Sequence, residues 1–149
     1  MQKSTECGIL VQKYGGSSIA TSEMILQVAD RIRDCRKDFP KIAIAVSAMG
    51  KTTDQLVSLA NQVSDQPRGR EMDLLLASGE QIAVSLLGLA LQAKGIKAIS
   101  LTAAQCGIQT DGVFNRAKVR SIDTRRLVRE LETGNVVIVT GFQGITKTD

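Results

Sequence analysis

Short apolar runs alternate along this chain with longer stretches in which apolar residues recur at helical spacing. Ile9-Leu10-Val11-Gln12 is apolar and ends just before a glycine pair, which predicts a buried strand. Residues 21–37 place Met24, Ile25, Val28, Ala29, Ile32 and Cys35 on one helical face, with Thr21 or Ser22 as the N-cap and Asp38-Phe39-Pro40 as the break. Ile42-Ala43-Ile44-Ala45-Val46 is apolar throughout, as a central parallel strand covered on both faces would be. After a polar loop over 47–53, Leu56, Leu59, Ala60 and Val63 mark a second helix, and residues 65–70, with Pro67 and Gly69, form a connection. Residues 71–94 predict a long helix with Gly79 and Gly88 inside it. A glycine costs about 1 kcal/mol in a helix interior relative to alanine, so two of them point to close approach by a neighbour or ligand.

Gly95 stops that helix, and residues 96–101 read as a strand. Residues 107–115 read as a polar loop and 119–122 as a short strand. Asp123 or Thr124 would cap a helix carrying Leu127, Val128 and Leu131. Gly134-Asn135 then turns the chain into Val136-Val137-Ile138-Val139, the last apolar strand. Apolar strands alternating with amphipathic helices predict an α/β fold, a mainly parallel sheet with helices on both faces. Met1 to Gly8 is polar, is unlike a signal peptide, and reads as a flexible N-terminal arm ahead of a single domain.

Composition narrows the chemistry. Aromatic residues are 3% of the chain and Trp is absent, which argues against a base-stacking nucleic-acid surface. There is no His, so catalysis has to run on Lys, Arg, Asp, Glu, hydroxyls and backbone amides. Cys7, Cys35 and Cys106 are odd in number and lack metal-ligand spacing, a pattern that fits a reducing cytoplasm better than a disulfide framework or zinc site. The net charge of +4 suits an anionic ligand and is also common without one. No apolar run is taken to reach membrane-spanning length, so no membrane partner is expected.

In open parallel sheets, ligands gather at the carboxyl ends of the strands. Three apolar strands lead there into distinctive loops: Lys13-Tyr14-Gly15-Gly16-Ser17-Ser18, Ser47-Ala48-Met49-Gly50-Lys51-Thr52-Thr53 and Gly141-Phe142-Gln143-Gly144. In the first, paired glycines let the backbone approach a ligand, successive N–H groups can converge on an anion, and Lys13 adds a full charge. The spacing is neither the P-loop pattern nor the dinucleotide fingerprint. By itself it leaves two readings, a phosphate cradle or a tight strand-to-helix turn with a solvated Lys13.

Val11 to Ser18 closely resembles the opening strand and loop of aspartate kinases, usually Lys-Phe-Gly-Gly-Thr-Ser. Three more segments resemble that family in the same order: residues 46–54 its second loop, Ser78-Gly79-Glu80-Gln81 its Gly-Glu motif, and residues 139–144 the strand and turn before its nucleotide half. The likeness runs from Ile9 to Ile145. It implies an amino-acid-kinase fold and phosphoryl transfer from Mg-ATP to the β-carboxylate of L-aspartate. Mg2+ would be bound through the nucleotide, with no protein ligand. By the resemblance, Lys13 would neutralise the transferring phosphoryl group, and Gly15, Gly16, Ser17 and Ser18 would contact phosphate. Ser47 and Thr53 match hydroxyls that contact aspartate, and Glu80 matches the carboxylate suited to the α-ammonium group. Lys51 reads by default as a solvated loop residue, and Asp111, although in a family-like segment, as a turn former.

The chain ends at Asp149, where aspartate kinases continue into a Gly-Arg-Gly-Gly-Ser-Asp type segment, the adenine-binding part and small regulatory domains. Residues 9–149 are therefore expected to be a partial domain, the substrate-side half, inactive alone and either self-associating as a homo-oligomer or needing the missing half. The alternatives are a non-catalytic module that binds an acidic metabolite or a partner subunit, and a kinase of another small carboxylate.

Overall fold

The apolar runs become strands, and the strands lie side by side. A computed structural model describes residues 8–146. In chain order its elements are β1 (Leu10–Tyr14), α1 (Ser22–Cys35), β2 (Ile42–Val46), α2 (Thr52–Val63), α3 (Arg70–Ala93), β3 (Ala98–Leu101), β4 (Ile108–Thr110), β5 (Val119–Ile122), α4 (Arg125–Glu132) and β6 (Val136–Thr140), with a short 3-10 turn over Gly16–Ile19. β1, β2, β6 and β3 form one parallel sheet in that order. β4 and β5 form a separate antiparallel hairpin. Of the expected arm, only Gly8 falls within the described residues.

Alternation along the strands sends side chains to two layers. Ile42, Ile44, Val46, Val136 and Ile138 face α1 and α3, where they bury Ile25, Val28, Ile32, Leu87 and Leu91. On the other face Leu101 and Val137 pack with Leu131 and the half-buried Leu127 of α4. Helices thus cover both faces, as the alternation of elements predicts. The cap of α1 is also as expected, with the Met24 N–H donating to Thr21 Oγ1 at 3.3 Å.

The glycines inside α3 are packing positions. A Cβ on Gly79 would sit 3.2 Å from both Leu56 Cδ1 and Thr52 Cγ2, and one on Gly88 would sit 2.9 Å from Ser100 Oγ. The neighbours are thus α2 and β3, which are drawn close to α3.

Three expectations need correction. β1 runs on to Tyr14, so Lys13 stands within the strand and not in the loop. The polar segment 107–115 contains β4, whose pairing comes from distant residues, β5 and an isolated parallel bridge to Ile145. A three-residue strand of that kind has no period of its own to read. Of the two caps expected for α4, Asp123 is the one used: its Oδ1 accepts from the Arg125 N–H at 3.1 Å, while the Thr124 side chain makes no cap bond. Finally, α3 is long and apolar enough to cross a membrane by length and composition. Here it is a core helix, burying Ala83, Val84, Leu87 and Leu91 within the α/β domain.

Candidate functional site

Strand register decides which loops meet. Tyr14 pairs with Val46 and Val46 with Thr140, so β1, β2 and β6 end in one row. The loops that follow are stitched together at once. The Ser47 N–H donates to the Tyr14 carbonyl at 3.1 Å, and the Gly141 N–H donates to the Val46 carbonyl at 2.7 Å. The Gly50 N–H donates to the Gly16 carbonyl at 3.0 Å. The three loops singled out by sequence thus form one rim at the carboxyl ends of the strands.

Lys13 is exposed, and its Nζ lies 3.8 Å from where a Gly15 Cβ would be, so the side chain reaches up toward the glycine pair. Gly16 cannot be replaced without displacement, because its Cβ would stand 2.5 Å from the Ala48 carbonyl oxygen. That contact predicts that Gly16→Ala destabilises the fold by about 1–3 kcal/mol in urea denaturation, the usual range for overpacking against backbone. Ser17 and Ser18 are exposed beyond it, in the 3-10 turn.

Glu80 comes to the same rim from α3. It is 8% exposed, one of two buried polar residues among those described. The Ala48 N–H lies near enough to its carboxylate to favour the charged form, while Oε2 has no hydrogen-bond partner among the described residues. Burial pushes the Glu80 carboxyl above the ordinary carboxylate range, and the Ala48 N–H and the Lys13 charge pull it partly back. A buried carboxylate oxygen with an open valence is costly, and a cationic hydrogen-bond donor would relieve that cost. The α-ammonium of an amino acid is such a donor.

Ala48 is the hinge of this geometry, which its residue type does not advertise. Its N–H meets Glu80, its carbonyl lies against Gly16, and its Cβ would be 3.4 Å from a Cβ on Gly79. Ser47 is half-buried at the start of the second loop, and Thr53 is exposed in the first turn of α2. Lys51 is exposed at the N-cap position of α2. Asp111 is occupied elsewhere: its carboxylate accepts from the Lys118 N–H at 3.0 Å and the Val113 N–H at 3.4 Å, and it pairs with Arg120. These bonds close the β4–β5 hairpin and hold its carboxyl below the usual range.

The model of the amino acid kinase family matches residues 8–149. An aspartokinase of Bacillus sp. strain MGA3 is 49% identical over 138 residues, covering 93% of this chain and 34% of that protein. Among solved structures, an aspartate kinase from Synechocystis matches with a TM-score of 0.77 at 47% identity, over 93% of this chain and 22% of that one. Aspartokinase III of E. coli, in complex with aspartate and ADP, matches in fold with a TM-score of 0.79 at 20% identity, over 95% and 42% of the two chains. The chain therefore spans about a third of the length of the curated relatives it matches.

Proposed function

Because the chain belongs to the amino acid kinase family, we propose that it is the substrate-side part of an aspartate kinase of the cytoplasm. Such an enzyme transfers the γ-phosphoryl group of ATP to the β-carboxylate of L-aspartate, giving 4-phospho-L-aspartate and ADP at the start of lysine, threonine and methionine synthesis. The observation that carries the proposal is Glu80, buried at the mouth formed by three strand ends, with Oε2 unpartnered and Lys13 acting on it. The identity to aspartokinases over nearly the whole chain supports the choice of aspartate.

The chemistry follows from the residues. Glu80 holds the α-ammonium, and the hydroxyls of Ser47 and Thr53 orient the rest of the amino acid. The β-carboxylate is ionised at neutral pH, so no general base is needed and a chain without His is sufficient. A carboxylate oxygen forms the new bond to the γ-phosphorus as the bond to the β-phosphate oxygen breaks, and the electron pair leaves on ADP. Lys13, the N–H groups of Gly15, Gly16 and Ser17 and the Ser18 hydroxyl offset charge on the phosphoryl oxygens, the main protein contribution in such transfers, while the Ser18 N–H is used within the turn by the Gly15 carbonyl. These donors suit phosphate oxygens and not a metal, so Mg2+ would arrive bound to the nucleotide and neutralise its phosphates.

Isothermal titration of the chain with L-aspartate and with succinate, which lacks the ammonium group, tests this assignment. Aspartate is expected to bind and succinate to bind at least about 100-fold more weakly, the usual loss when a buried charge is left without its partner. Equal binding of the two, or none of aspartate, would sink the role given to Glu80.

A further inference from the structure

We infer that Gln143 is a positioning residue for Glu80: its side-chain amide ties the loop after β6 to the turn of α3 that carries the carboxylate. The inference rests on the ammonium-binding role proposed for Glu80. Gln143 Nε2 donates to the carbonyl of Ala77 at 2.9 Å. Its Oε1 accepts from Thr140 Oγ1 at 3.1 Å. A carbonyl can only accept, so the amide nitrogen has to face Ala77, and the Thr140 hydroxyl has to donate to the remaining oxygen. Thr140 is 2% exposed and Gln143 half-buried, so water is a poor substitute for either bond.

Ala77 lies one helical turn before Glu80, on the same side of α3. The loop also passes close to the carboxylate, leaving no room there for a side chain on Gly141. A Cβ on Gly141 would stand 3.3 Å from Glu80 Oε2 and 2.9 Å from the Val46 carbonyl oxygen. The far end of the loop is clamped by β4: the Thr110 N–H donates to the Ile145 carbonyl at 2.8 Å, and the Ile145 N–H donates to the Ile108 carbonyl at 3.0 Å. A Cβ on Gly144 would collide with Thr110 Cγ2. The loop is thus fixed at both ends, and Gln143 passes that fixed position to the helix. The open oxygen of Glu80 is aimed by a bond between residues 66 positions apart.

The test uses the full chain, L-aspartate as the probe, and a carbon-13 NMR titration of the Glu80 side-chain carboxyl. Gln143→Leu is expected to bind aspartate about 10-fold more weakly, the equivalent of one hydrogen bond. Its Glu80 carboxyl should titrate closer to an ordinary carboxylate, because a loosened loop admits water. Thr140→Val should move both readouts the same way, and Thr140→Ser should restore them. If Gln143→Leu does not fold, Thr140→Val and Thr140→Ser decide. Unchanged affinity together with an unchanged Glu80 titration in the folded variant would overturn the positioning role while leaving aspartate binding intact. If the wild-type chain binds no aspartate, the function assigned to Glu80 fails, and the NMR titration still decides the role of Gln143, which no change or a further rise would overturn.

Discussion

Lys13→Ala is expected to abolish phosphoryl transfer while leaving aspartate binding intact. Measured as ATP-dependent aspartyl hydroxamate formation, with the chain complemented by a polypeptide supplying the rest of a relative's length, kcat should fall at least about 100-fold, the usual cost of one donor aimed at developing charge. The physical reason is the position of Lys13. Its ammonium reaches the glycine pair at the rim, where the phosphoryl group would pass, and it meets the aspartate site only through its charge on Glu80. Lys51, exposed at the start of α2, serves as the control. Lys51→Ala should retain nearly full activity. Full activity in Lys13→Ala would remove Lys13 from the reaction.

Glu80→Gln is expected to lose function and gain stability. Replacing the carboxylate by an amide removes the counter-charge for the ligand ammonium, and aspartate affinity should fall by a factor corresponding to about 2–5 kcal/mol. The stability gain follows from the raised carboxyl of Glu80. The folded state holds this proton more tightly than the unfolded state does. Below the ordinary carboxylate range both states are protonated, and the group contributes no difference. As pH rises through the ordinary range toward the raised value, the unfolded chain ionises first, and the wild-type protein loses stability. The amide of the variant has no such proton to lose, so the stability gap between variant and wild type should open across that window and stay open at neutral pH. A gain of about 1 kcal/mol would raise Tm by roughly 2–4 °C. Saturating aspartate should close the gap from the wild-type side, since a ligand at 100 times its Kd stabilises by about 2.7 kcal/mol. Matching stability profiles for the two proteins across pH would show that Glu80 is not held at a cost.

Much of this architecture is legible in the order of residues because the sheet is parallel and buried. Ile42 to Val46 needs no partner to declare itself, being apolar on both faces. The long helix α3 and the Thr21 cap are equally local signals. What the pattern hides is whatever depends on distant partners. β4 exists because β5 and Ile145 pair with it. Val11 looks like core by composition yet is 72% exposed, because β1 is an edge strand and α4 covers only the β6 and β3 part of that face. Leu59 and Val63 likewise mark α2 while remaining exposed.

The site divides in the same way. The resemblance to aspartate kinases points to Lys13 and Glu80, and the fold brings Lys13 from β1 and Glu80 from α3 to one rim. Ala48 and Gln143 carry no chemical signal of their own. Ala48 matters through its backbone, and Gln143 through a carbonyl 66 residues away. The glycines that flank them were the available clue. Gly16 and Gly141 sit where a Cβ would press on Ala48, Val46 or Glu80.

The most direct measurement is hydroxamate formation from L-aspartate and ATP by the complemented chain. Product that depends on aspartate, on ATP, on Lys13 and on Glu80 is the predicted result. No product from a complemented chain that still binds aspartate through Glu80 would contradict it, and would leave a module that binds the amino acid without phosphorylating it.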